Sequence, residues 1–173
     1  GTAFAIAEDN LWTGITTVEK IVAVANTVAV TIDLDVTAYA AGIRTVDISQ
    51  ADDGNNGSNV IDISEFVGTD ATALTGADGT GSQAITGGAG IDTIIGGAGV
   101  DTIIGGGGAD IITAGAGADV ITGGDGDDSF VYLLTADLFD SNATVDTSLA
   151  GQGGTGDKLT VGTSGTIFAI ATG

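Results

Sequence analysis

The sequence predicts an all-β fold, a parallel β-solenoid passing into a tight β-roll. Three observations predict it: an unbroken nine-residue repeat, strand-like alternation ahead of that repeat, and glycine with short acidic residues wherever the chain must turn. The chain has 173 residues, 31 of them glycine, and contains no proline, cysteine, methionine or histidine.

The repeat is the clearest element. From Gly87 the blocks read GGAGIDTII (87–95), GGAGVDTII (96–104), GGGGADIIT (105–113), AGAGADVIT (114–122) and GGDGDDSFV (123–131). Glycine holds the second and fourth places of every block, aspartate the sixth and a large apolar residue the eighth. A fixed short period marks a solenoid, in which each unit buries its apolar face only against its neighbours. A weaker copy, DGTGSQAIT (78–86), has Gln83 in the aspartate place. The next block, YLLTADLFD (132–140), keeps Asp137 and Phe139 in register without any glycine and is expected to terminate the roll.

Ahead of the repeat, Val28, Val30, Ile32, Leu34 and Val36 alternate with smaller or polar residues, the period of a half-buried strand. Val46 and Ile48 flank Asp47, and Ile61 and Ile63 flank Asp62, in the same way. Loops such as Asp52 to Gly57 are dense in turn formers. Inward positions continue through Leu74, Ile85 and Ile94, so the rungs tighten from about fifteen residues to nine. Residues 1–77 are thus read as an irregular β-solenoid or small β-domain, 78–140 as the roll with its terminating turn, and 141–173 as a C-terminal β segment. GTAFAIAED (1–9) and GTIFAIATG (165–173) share six of nine residues. That likeness predicts that the C-terminal segment opens the next module of a tandem array.

Five tandem copies of G-G-x-G-x-D-x-U-x resemble the RTX family of secreted haemolysins, proteases, lipases, adhesins and surface-layer proteins. The resemblance covers about a quarter of the chain. It implies a calcium-binding RTX β-roll, with turn carbonyls from both stacked blocks completing each site. It also implies secretion by a one-step, type I exporter to a bacterial cell surface or extracellular matrix, with folding on meeting external calcium.

The residues supply a physical reason for the metal. The seventh to ninth places are expected to form a short strand and the first six a turn, with two blocks completing one coil. Blocks 18 residues apart then stack, so Asp92, Asp110 and Asp128 line one edge and Asp101 and Asp119 the other. Stacked strands lie about 4.7–4.9 Å apart. Two carboxylates at that spacing repel by roughly 1 kcal/mol in water, and several-fold more at an effective dielectric of about 20. A divalent ion between them reverses the sign. Glycine opens backbone angles that let carbonyls face a shared centre, and flexible oxygen cages suit calcium over magnesium. The candidate ligands are the five aspartates and the backbones of Gly88, Gly90, Gly97, Gly99, Gly106, Gly108, Gly115, Gly117, Gly124 and Gly126. About three to four Ca2+ ions are expected, at 92/110, 110/128 and 101/119, with a weaker site where Asp101 meets Gln83.

Ile94, Ile103, Ile112, Ile121 and Phe130 should point inward. Burying one such side chain per block is worth about 1.5–3 kcal/mol, less than the cost of ordering nine backbone residues. The roll is therefore expected to be disordered without calcium. Ile95, Ile104, Ile111, Val120 and Val131 should face outward, to meet a neighbouring copy of the protein or the chain's own Phe139, Leu149 or Phe168.

Charge and composition narrow the function further. The formal charge is −20, from 23 acidic residues against Lys20, Arg44 and Lys158, which disfavours nucleic acid. The chain is nonetheless 43% hydrophobic, so it is not a solvated acidic tail. No apolar run reaches the length of a membrane-spanning helix, and no membrane insertion is expected. Without His or Cys there are no ordinary zinc sites and no thiol catalysis. There is no Gly-x-Ser-x-Gly elbow, and no helix follows the glycine runs to hold a phosphate. The chain is read as no enzyme but as an extracellular calcium-stabilised structural or adhesive module of a surface layer, matrix fibre or giant adhesin, one that self-assembles. The alternatives are the noncatalytic RTX segment of a secreted enzyme or toxin, and a glycan- or ice-binding adhesin module. Trp12, Tyr39 and Tyr132 are too scattered for a glycan platform, whereas Thr93, Thr102, Thr113 and Thr122 resemble the outward ladder ice would need.

Overall fold

The structure, a computed structural model, describes residues 4–6, 19–24, 29–50, 58–132 and 148–161. These form fourteen strands and one short helix: β1 (Phe4–Ile6), β2 (Lys20–Val24), β3 (Val30–Asp33), α1 (Val36–Ala40), β4 (Thr45–Gln50), β5 (Asn59–Asp62), β6 (Thr72–Thr75), β7 (Gln83–Thr86), β8 (Asp92–Ala98), β9 (Thr102–Gly107), β10 (Ile111–Ala116), β11 (Val120–Asp125), β12 (Ser129–Tyr132), β13 (Ser148–Gln152) and β14 (Lys158–Val161). Odd-numbered strands make one parallel sheet in the order β1-β3-β5-β7-β9-β11-β13. Even-numbered strands make the other, running from β2 to β14. Each coil contributes one strand to each sheet, which is a parallel β-solenoid. Both sheets run unbroken through the nonapeptide blocks.

The repeat length sets the stacking. Ile103 pairs with Ile121 and Ile94 with Ile112, so two blocks close one coil. The inward column of one sheet is Ile32, Ile61, Ile85, Ile103 and Ile121; the other carries Ile21, Val46, Leu74, Ile94, Ile112 and Phe130. All of these side chains are buried, and within the roll each block contributes one of them. The earlier coils are wider and hold more: Leu34, Ala38, Ile43, Ile48, Ile63 and Phe66 join the core there. Tyr39 meets Phe66 edge to face at 5.3 Å, under an Arg44 guanidinium 4.0 Å from the Tyr39 ring centre. The expected outward residues Ile95, Ile104, Ile111 and Val120 are exposed, and Val131 is half-buried.

Two local expectations are corrected. The alternation from Val30 to Val36 is not one strand: β3 ends at Asp33, and Val36 opens α1, while Val28 lies outside the described residues. The Asp35 carboxylate accepts from the Thr37 and Ala38 N–H groups at 2.8 and 3.0 Å, a helix N-cap that competes successfully with the ladder. Nor is the strand confined to the seventh to ninth places. In β8 to β11 it continues into the third place of the next block, because the glycines keep pairing, Gly97 with Gly115 and Gly106 with Gly124. The terminating turn expected over 132–140 lies outside the described residues apart from Tyr132, which is buried. The second FAIA segment at 165–173 also lies outside them.

Candidate metal centre

The sixth place of each block is the corner where turn becomes strand. The N–H of Asp92, Asp101, Asp110 and Asp128 points along the stack, and the carboxylate of the next rung takes it. Asp110 Oδ1 accepts from the Asp92 N–H at 2.8 Å, Asp119 from Asp101 at 2.8 Å, and Asp128 from Asp110 at 2.9 Å. Asp101 does the same for Gln83 at 2.8 Å. The five aspartates are 0 to 1% exposed, so the two edges expected from the spacing are brought together inside the turns.

The other oxygen of Asp92, Asp101, Asp110 and Asp128 lies over the first residue of its own block. Asp92 Oδ2 accepts from the Gly88 N–H at 2.8 Å. Oδ2 of Asp101, Asp110 and Asp128 is buried with no hydrogen-bond partner. A side chain on Gly87 would meet both Asp92 Oδ2 and the Gly105 carbonyl. One on Gly96 would meet Asp101 Oδ2 and the Ala114 carbonyl, and one on Gly105 would meet Asp110 Oδ2 and the Gly123 carbonyl. A carboxylate oxygen from one rung and a carbonyl from the next thus converge where a Cβ on Gly87, Gly96 or Gly105 would clash, whereas the fourth block accommodates Ala114 in that place. Turn carbonyls beside the aspartates are expected from the sequence, but only those of the second and fourth places were named there. The signal of the first-place carbonyls was the first-place glycine itself, present in four of five blocks.

The second- and fourth-place glycines do a different job. Gly97, Gly106, Gly115, Gly124, Gly108, Gly117 and Gly126 have φ between 103° and 144°, open to glycine at little cost. Each stacks under a carbonyl of the rung before, as Gly106 does under Gly88 and Gly108 under Gly90. Gly99, like Gly88 and Gly90, lacks that positive φ but is equally crowded, by the Gly81 carbonyl.

Electrostatics sets this edge apart from the rest of the protein. The wide coils neutralise acids with bases, Lys20 with Asp47 at 3.0 Å and Arg44 with Asp70 at 2.7 Å. Between Arg44 and Lys158 the sequence has no basic residue. Burial, with a smaller contribution from Asp119, pushes the Asp101 carboxyl up to about 7. Burial, then Asp92 and Asp128, does the same for Asp110. Asp92 and Asp128 are also raised, chiefly by burial. Buried carboxylates without counter-charge are costly. Among the described residues no three acidic groups converge, so a cation here would draw on aspartate pairs and main-chain oxygens. Such a hard, all-oxygen set with flexible turns fits calcium.

Ahead of the roll, neutral residues fill the same corner. Thr72 Oγ1 donates to Asp92 Oδ1 at 2.5 Å. The Gln83 amide is held within its own turn by the Gly81 carbonyl at 2.8 Å and the Ala77 N–H at 3.5 Å. Asn59 Oδ1 accepts from the Val30 N–H at 2.8 Å. Beyond the blocks, Asp157 Oδ1 accepts from the Asp128 N–H at 3.0 Å. Sequence reasoning missed Asn59, Thr72 and Asp157, although Asp157 follows a telling run, Gly151-Gln152-Gly153-Gly154-Thr155-Gly156.

Fold and site together define a β-roll with acidic, cation-seeking edges. Residues 78–112 and 104–138 match the family model of the RTX calcium-binding nonapeptide repeat in four copies, and this stretch of the chain is an RTX repeat array. RTX repeats bind Ca2+ and are typical of secreted proteins. Neither curated proteins nor solved structures give a match to the chain. No helix among the described residues is long and apolar enough to cross a membrane.

Proposed function

We infer that the chain is a noncatalytic, extracellular structural or adhesive module whose roll folds as calcium binds. The observation that carries this reading is the set of buried Oδ2 atoms of Asp101, Asp110 and Asp128 that have no hydrogen-bond partner. They sit in a stretch of chain without a single basic residue. A bound calcium ion supplies the positive charge that these stacked carboxylates lack. Asp92 with Asp110, Asp110 with Asp128, and Asp101 with Asp119 are the pairs that would hold it, with the first-place carbonyls of Gly105, Gly123 and Ala114 alongside. The Gln83 amide, hydrogen-bonded at both ends, fills its corner without needing an ion.

Self-assembly is supported by the outward apolar residues. Ile91, Ile95, Val100, Ile104 and Ile111 are each 41 to 59% exposed over two adjacent coils. A neighbouring copy of the same chain is the partner we infer for them.

Sedimentation velocity of the 173-residue chain in millimolar calcium, in magnesium, and in excess chelator tests both parts. The reading expects an expanded species in chelator or magnesium, and a compact or polymeric one in calcium. Identical compact sedimentation in all three would remove calcium from the account. A compact monomer at all concentrations in calcium would remove the assembly.

A further inference from the structure

We propose that Asp157 completes an additional calcium site with Asp128, outside the nonapeptide repeat. This rests on the calcium reading of the ladder but concerns a residue 29 positions beyond its partner, where a fixed period cannot reach.

The register and hydrogen bonding of the roll are reproduced there from a different sequence, with Asp157 at an exposed end of the stack. Lys158 pairs with Ser129 and Leu159 with Phe130, which seats Asp157 directly on Asp128. Asp157 Oδ1 accepts from the Asp128 N–H at 3.0 Å, the bond Asp128 makes to Asp110 at 2.9 Å. A side chain on Gly151 would collide with Asp157 Oδ2, as one on Gly123 would with Asp128 Oδ2. Gly151 therefore stands in the first place.

Gln152 pairs with Gly124 and takes the second place. It has φ of 70°, the one positive value at a non-glycine among the described residues. Gly154, φ 71°, stacks under the Gly126 carbonyl in the fourth place. Thr155 and Gly156 together replace the fifth residue, and the Asp127 carboxylate holds both of their N–H groups at 2.9 Å. The block is thus a ten-residue variant of the motif, kept in shape by Asp127 and by a strained glutamine. Asp128 is 1% exposed and its Oδ2 has no hydrogen-bond partner, so the corner that Asp157 joins contains a buried, unmatched carboxylate.

The test counts bound ions by calorimetric calcium titration of the full 173-residue chain, with Tb3+ luminescence as a second readout. Asp157→Asn keeps the hydrogen bond, because Asn59 makes the equivalent one to the Val30 N–H. It should bind one ion fewer than the unmodified chain. Asp33→Asn removes an exposed charge on β3, near the other end of the stack, and should leave the count unchanged. Asp157→Glu retains a carboxylate and should keep the full count. An unchanged count in Asp157→Asn would overturn the site while leaving the proposed function intact. Loss of one ion in both Asp157 variants would mark a folding defect and also overturn it. No calcium binding by the unmodified chain would overturn the proposed function, and this site with it.

Discussion

Asp110 reaches across one coil to accept a hydrogen bond from the backbone N–H of Asp92 at 2.8 Å, while its other oxygen lies buried with no hydrogen-bond partner. One carboxylate thus ties two rungs together and leaves half its charge unanswered. Asp110→Asn separates these two roles. The amide keeps the cap and removes the charge, so the variant should be more stable than the parent in chelator. In calcium it should be less stable, with calcium affinity lower by roughly tenfold or more, since a buried charge–charge partner is worth a few kcal/mol. Thermal unfolding in calcium and the strand content by circular dichroism in chelator check this, and a change of the same sign in both would count against it.

The raised carboxyls predict an inverted pH dependence for the metal-free chain. Asp101 and Asp110 titrate near 7 when folded, against an ordinary value of 3.8. Folding therefore favours their protonated form. The stability they contribute is full below about pH 3.8 and is lost as pH rises through about 7. In chelator, circular dichroism should show the roll gaining strand structure as pH is lowered from 8 to 5. In saturating calcium the dependence should run the other way, because protons then compete with the ion.

Glycine should be easy to replace at position 107 and costly to replace at position 105, two residues away. A Cβ on Gly105 would sit 2.5 Å from the Gly123 carbonyl and closer still to Asp110 Oδ2. On Gly107 the nearest atom is 3.6 Å away. Gly105→Ala should cost about 1–3 kcal/mol in calcium and weaken ion binding. Gly107→Ala should be nearly neutral, as the Ala89, Ala98 and Ala116 of other blocks already imply. Chemical denaturation of the two variants provides the comparison.

Adjacent isoleucines should behave as opposites. Ile103 is fully buried between the sheets and Ile104 is 41% exposed. Ile103→Ala should cost about 2–5 kcal/mol. Ile104→Ser should leave the unfolding midpoint of the monomer nearly unchanged but reduce calcium-dependent self-association in sedimentation.

Much of this was legible because a nine-residue period leaves little freedom. Once two blocks close a coil, the stacking of Asp92, Asp110 and Asp128, the burial of Ile94 and Ile103 and the exposure of Ile104 and Ile111 all follow. Outside the period the same logic lost its register. Asn59, Thr72 and Asp157 occupy the aspartate corner, but their offsets along the chain are set by loops of unequal length. Asp35 illustrates a second limit. Extending β3 and capping α1 are both open to that stretch, and the choice depends on tertiary contacts such as the burial of Ala38. The first-place carbonyls were hidden for a third reason: a main-chain oxygen leaves no mark in the sequence except the missing side chain beside it.

Dependence of the roll's order on calcium is read most directly from hydrogen–deuterium exchange across β8 to β12 with calcium and with chelator. Residues 92–132 should be strongly protected in calcium and lose nearly all protection in chelator, while the wide coils around β3 to β5, where Lys20 and Arg44 pair with Asp47 and Asp70, lose less. Equal protection of 92–132 in both conditions would contradict that dependence, because the stacked aspartates would then be stable without the ion.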